Sequence, residues 1–146
     1  LDAHPIVGNN IQLALRLNIQ NPLPIGDTLV WQGEVSAPLA EVAQSVMDIT
    51  SRAPLVIGDK AANINKITWC SGGAQSYIKH AIDVGADCFI TGEISEQIPA
   101  IAKENNIAFI SAGHHATERY GVQALGQHLS QKFSLGYQYI DIDNVV

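Results

Sequence analysis

From residue 63 onward, short apolar runs alternate with helical repeats, and this constrains the fold more than any other feature of the chain. Residues 64–70 are apolar and β-branched enough for a strand, which Ser71-Gly72-Gly73 breaks. Apolar residues then recur at 74, 77, 78, 81 and 82, the spacing of one helical face, with a stop at Gly85. Residues 88–91 read as a buried strand ended by Gly92-Glu93. Ser95 reads as the cap of a helix reaching about residue 105, with Glu96 near its positive end. Residues 107–110 predict a strand, 114–131 the longest helix, and the alternating 137–142 a closing strand. Strands and helices joined by short loops predict βαβ units and an α/β fold with a largely parallel or mixed sheet.

Residues 1–62 are less regular. Residues 9–17 predict an amphipathic helix with Ile11, Leu13, Ala14 and Leu17 inward, broken by Asn21-Pro22-Leu23-Pro24. Residues 29–35 are strand-like, Pro38 suits the first position of a helix over 39–49, and 55–57 form another short strand. Loops are expected near 20–28 and 58–65. The chain therefore divides into an irregular α/β segment, 1–62, and a regular βαβαβαβ segment, 63–146. At 146 residues the two are expected to pack as one unit. The chain opens on Leu1-Asp2-Ala3-His4-Pro5 with no initiator Met, so a fragment of a longer polypeptide is expected.

Composition narrows the function. No apolar run approaches the roughly 18 residues of a membrane span. A net charge of −6 leaves no basic face for sequence-independent nucleic-acid binding. Cys70 and Cys88 are too few for a disulfide scaffold and read as reduced thiols packed in strands. With no targeting pattern in view, a cytoplasmic location is expected.

In a parallel α/β sheet, ligands bind outside the carboxyl ends of the strands. Three loops leave such ends: Ser71-Gly72-Gly73, Gly92-Glu93 and Ala112-Gly113-His114-His115. His114 and Glu118, four apart, share a helical face. They suit either chelation of a divalent ion or a capped, exposed His-Glu pair. His115 and Arg119 lie on the neighbouring face, with His115 in a supporting role. Asp2, two residues from His4, is either a further metal ligand or a solvated terminal carboxylate. Ser71, Gly72, Gly73 and Gln75 form either a tight turn or an anion cradle at a helix start. Glu93 is the candidate general base or supporting carboxylate. His80 and His128 read as ordinary surface or packing histidines.

Four blocks together resemble one family: Asp2-Ala3-His4-Pro5 with Gly8-Asn9-Asn10; Thr68-Trp69-Cys70-Ser71-Gly72-Gly73-Ala74-Gln75-Ser76; Ala86-Asp87 with Ile90-Thr91-Gly92-Glu93-Ile94-Ser95-Glu96-Gln97; and Ala112-Gly113-His114-His115-Ala116-Thr117-Glu118-Arg119. The family is the Ngg1-interacting-factor-3-like proteins, also labelled GTP cyclohydrolase 1 type 2 homologues. The resemblance implies an α/β fold with two adjacent divalent metals per full-length chain, in subunits forming hexameric rings. Asp2, His114 and Glu118 match family metal ligands. The family's His-His pair lies upstream of the Asp-Ala-His segment and has no counterpart here, so fewer than two metals are expected. Zinc, iron and manganese all suit such ligands. The function expected is metal-dependent hydrolysis of a nucleotide-like or other anionic substrate, with Glu93 as proton carrier. The alternatives are a non-catalytic assembly or regulatory metalloprotein and a truncated chain without activity.

Overall fold

The computed structural model describes residues 1–145, so the last residue of the second segment lies outside it. In chain order the first half contributes α1 (Asn9–Arg16), β1 (Gln20–Pro24), β2 (Trp31–Pro38), α2 (Leu39–Thr50) and β3 (Leu55–Ile57). The second half contributes β4 (Asn63–Trp69), α3 (Ile78–Asp83), β5 (Cys88–Thr91), α4 (Ile98–Glu104), β6 (Ala108–Ser111) and α5 (His114–Phe133). The six strands form one mixed sheet in the order β1-β2-β4-β5-β6-β3. β4, β5 and β6 run parallel at its centre. β1 and β2 extend one side antiparallel, and β3 closes the other antiparallel to β6.

The central strands are apolar on both sides because helices cover both faces. Along β5, Cys88 and Ile90 enter a core shared with Leu13, Leu39, Val46 and Trp69. Phe89 points the other way, into a core with Ile78, Ile98 and Phe109. Phe89 and Phe109 meet edge to face at 5.8 Å, a geometry the aromatic quadrupole favours. Each fully buried side chain of this size contributes about 1.5–3 kcal/mol.

Several elements differ from the sequence expectations. Residues 20–24, expected as a helix-breaking loop, form edge strand β1. Pro22 and Pro24 are tolerated there because an edge strand need not donate every N–H to a neighbour. Residues 137–142 form no strand; β3 already fills the sheet position beside β6. Ser95 does not cap a helix: α4 begins at Ile98 with a proline in its first turn, and Glu96 sits outside it. Residues 75–77 make a turn of 3-10 helix before α3, so the helix expected from 74 is shorter.

Candidate functional site

The carboxyl ends of β4, β5 and β6 release three loops that hydrogen-bond in sequence. Gly92 N–H donates to the Gly72 carbonyl, and Gly113 N–H donates to the Gly92 carbonyl. Hydroxyls reinforce the ladder: Thr91 Oγ1 donates to the Gly72 carbonyl and Ser111 Oγ to the Gly92 carbonyl. Side-chain atoms cannot fit between such backbones. A Cβ at Gly92 would lie 2.7 Å from both the Gly72 carbonyl oxygen and His114 Cα. Gly72 has φ +67, and a Cβ there would overlap the Glu118 carboxylate.

The ladder places one imidazole between two carboxylates. His114, at the start of α5, has Nδ1 2.6 Å from Glu93 Oε1 and Nε2 3.1 Å from Glu118 Oε2. The Glu93 hydrogen bond raises the His114 pKa against partial desolvation, with Glu118 adding to the rise. The same bond lowers the Glu93 pKa, helped by Gln75, whose Nε2 donates to Glu93 Oε2. All three groups of the triad are partly open to solvent.

The Ser71–Gln75 loop walls this triad. Gly72 abuts Glu118, and Gly73 faces the Glu93 carboxylate. Three amides of the loop are already engaged: Ser71 with Asn10 Oδ1, Gly72 with Thr117 Oγ1 and Ala74 with Thr91 Oγ1. The loop thus meets a ligand with side chains and edges more than with free N–H groups.

Asp2 accepts a hydrogen bond from Asn9 Nδ2 at 2.7 Å and lines a recess shared with Glu118. Asn9 Oδ1 in turn accepts from Gly121 N–H on α5, which ties the Asp2 segment to the helix carrying His114. Buried Asn10 accepts from Ser71 N–H, and its Nδ2 donates to the Leu29 carbonyl. Asn9, Asn10, Thr91 and Thr117 therefore organise the site. The sequence signal for them was present in the Gly8-Asn9-Asn10 block and in the threonines flanking the loops, but polar residues at element ends also occur as ordinary caps.

The donors fit a divalent cation in part. Two ligands each about 2.1 Å from one ion sit roughly 3 Å apart. His114 Nε2 and Glu118 already stand at such a separation. A carboxylate on the far ring nitrogen is the usual brace of a metal-bound histidine. Among the described residues, however, no three His, Cys, Asp or Glu side chains converge closely enough to hold a metal. His115 faces away from the triad, toward Asp141 at 3.9 Å. Burial pushes the Cys70 thiol up to about 11, as do the Asp2 and Glu118 carboxylates, against a hydrogen bond from Asn10. Burial also raises the Cys88 pKa. Neither thiol offers an accessible thiolate near neutral pH.

No helix among the described residues is long and apolar enough to cross a membrane. Parts of all four motif blocks meet at one edge of the sheet, through Asn10–Ser71, Gly72–Gly92 and Glu93–His114. A Pseudomonas aeruginosa protein described as "GTP cyclohydrolase 1 type 2 homolog" is 48% identical over 150 residues, covering 99% of this chain and 59% of its own length. A Yersinia pestis protein of the same description is 48% identical over 147 residues, with the same shares covered. A solved structure described as "protein ybgI, unknown function" superposes with a TM-score of 0.94 at 42% identity, covering all of this chain and 60% of that one. The chain thus spans about three fifths of the length of these relatives. The family model for Duf34/NIF3 (NGG1p interacting factor 3) matches residues 1–144. A match from one end of the sheet to the other, through every loop of the site, makes this chain a member of the Duf34/NIF3 family.

Proposed function

We propose that this chain contributes ligands to a divalent-metal site that serves hydrolysis of a nucleotide-like or other anionic substrate. The observation that carries the reading is the bracing of His114: Glu93 holds Nδ1, which leaves Nε2 facing Glu118. His114 and Glu118 would bind the ion, with Asp2 reaching it from the recess that it shares with Glu118. Zinc, iron and manganese all accept this mixed nitrogen and oxygen set. A bound divalent ion would supply a water acidic enough to act as hydroxide near neutral pH. Glu93, partly exposed and bonded to His114, would serve as proton carrier or as the carboxylate that supports His114. Ser71, Gly72, Gly73 and Gln75 would border the substrate. Reduced Cys70 and Cys88 suit a cytoplasmic setting for this chemistry.

Metal analysis and a nucleotide-turnover screen test the reading. Parent protein is expected to retain metal and to release product, and His114→Ala and Glu118→Gln are expected to lose both. Full turnover in chelator-stripped parent protein would refute it.

A second reading, a non-catalytic assembly or regulatory metalloprotein, draws on the exposed Val122, Leu129 and Phe133 along α5. It includes the homo-oligomer, a hexameric ring, that the resemblance implies. It prevails if His114→Ala disrupts subunit association while no substrate is turned over by the parent.

A further inference from the structure

Beside the His114–Glu118 pair runs a second pair with the same spacing, His115 and Arg119. Its partners come from the 135–145 segment. Arg119 Nη1 donates to Asp141 Oδ2 at 3.2 Å, and Tyr139 Oη donates to Asp141 Oδ1 at 3.0 Å. His115 Nε2 lies 3.9 Å from that same oxygen, is shielded from solvent and makes no hydrogen bond among the described residues. Arg52, beside Gly113, donates to the Val145 carbonyl at 2.7 Å. Two of the chain's three arginines thus flank one helix start in a protein of net charge −6.

The segment that meets them is weakly held. Ile140 is 70% exposed and Ile142 73%, so little apolar burial fixes it. It separates two cavities, one of about 620 Å³ reaching His114 and Glu118 and one of about 510 Å³ reaching Arg52 and His115. Arg119 borders both. Asp141 is half-exposed, so its ion pair with the more covered Arg119 is partly screened by solvent and a more highly charged anion can displace this carboxylate. Guanidinium groups match tetrahedral oxyanions with paired N–H donors.

We propose that Arg119, Arg52 and His115 form a phosphate-binding subsite next to the His114–Glu118 pair, filled in this structure by the Asp141 carboxylate beside Arg119 and His115 and by the Val145 carbonyl on Arg52. A phosphoryl group seated there displaces Asp141 and presents the rest of the substrate to His114 and Glu118. This deepens the hydrolase reading by assigning its anionic substrate a phosphoryl group, and it rests on that reading only for the orientation.

Inorganic phosphate, titrated calorimetrically into chelator-treated protein, tests the subsite without metal. Asp141→Asn is expected to bind phosphate about five- to tenfold more tightly than the parent, since it weakens the hold on Arg119 and removes a competing charge. Asp83→Asn on α3, the same change of charge away from the cavity, is expected to leave affinity unchanged. Arg52→Gln in the Asp141→Asn background is expected to reverse the gain. Arg119→Gln is less clean, because Arg119 also donates to the Thr50 carbonyl at 2.8 Å. Equal phosphate affinity in parent and Asp141→Asn overturns the proposal. So does an equal gain in Asp83→Asn, or a gain that survives Arg52→Gln. Because this titration needs neither metal nor turnover, its failure is separable from failure of the metal-content and nucleotide assays.

Discussion

Glu93 and His114 each ionise in the direction that favours the other, so their pair has a definite pH window. His114 has a raised pKa, so its contribution is complete below the ordinary value of 6.5 and is lost as pH rises through the raised one. Glu93 has a lowered pKa, so its contribution is complete above the ordinary 4.5 and is lost as pH falls through the lowered one. In metal-free protein the pair therefore stabilises most between those two ordinary values. Melting curves of Glu93→Gln against pH are expected to show their largest deficit in that interval and almost none well above it. NMR titration of the same variant is expected to show the His114 pKa falling toward its ordinary value. Gly72→Ala is expected to destabilise by about 1–3 kcal/mol in denaturant titration, because a side chain at that backbone angle is strained and meets Glu118. That His114, Glu118 and Glu93 lie at one edge of the sheet was legible from strand-to-helix position and spacing, whereas ligation and a capped, exposed pair stayed open on the same spacing. Asp2 stayed open between a metal ligand and a solvated carboxylate on its spacing from His4, and only the resemblance favoured the ligand. Asp141 was not legible, since its role depends on where an irregular segment lies.

At the level of elements, buried parallel strands were legible because burial on both faces writes a continuous apolar run. The ends of the sheet were harder to read. The prolines of β1 argue against a strand until its edge position is known, and its register also shifts between Gln20 and Leu23. Alternation at 137–142 has another cause: Tyr139 and Asp141 turn toward Arg119 while Ile140 and Ile142 stay exposed. Period-two patterning reports an extended backbone with two unlike sides, not a paired one. α1 acts on the site through Asn10, whose amide serves both Ser71 and Leu29. Asn10→Ala strands the buried Ser71 N–H and the part-buried Leu29 carbonyl, and its denaturation midpoint is expected to reflect a loss of about 1–3 kcal/mol.

For the molecule as a whole, ligand count decides metal occupancy. With His114 and Glu118 adjacent and Asp2 held on Asn9, this chain is expected to carry fewer than two metals after purification. Elemental analysis checks this, and two tightly held ions per chain would contradict it. Apolar exposure of Val122, Leu129 and Phe133 on α5 leads to a further expectation. If that face is covered by another subunit, Phe133→Glu shifts the protein to lower mass in sedimentation and lowers its melting temperature at concentrations where the parent is associated. The rungs between Gly72, Gly92 and Gly113 continue the sheet's bonding past the strand ends. Loops elsewhere in an α/β protein absorb an inserted residue by bulging into solvent. Here one added residue would break a rung and move His114 away from Glu93. Relatives that keep this geometry should therefore vary in loop length around Gly26, where a side chain would meet nothing, and hold constant length in the three loops that leave β4, β5 and β6. New specificity on this scaffold would have to arise by exchanging side chains or the crossing segment, not by lengthening the loops.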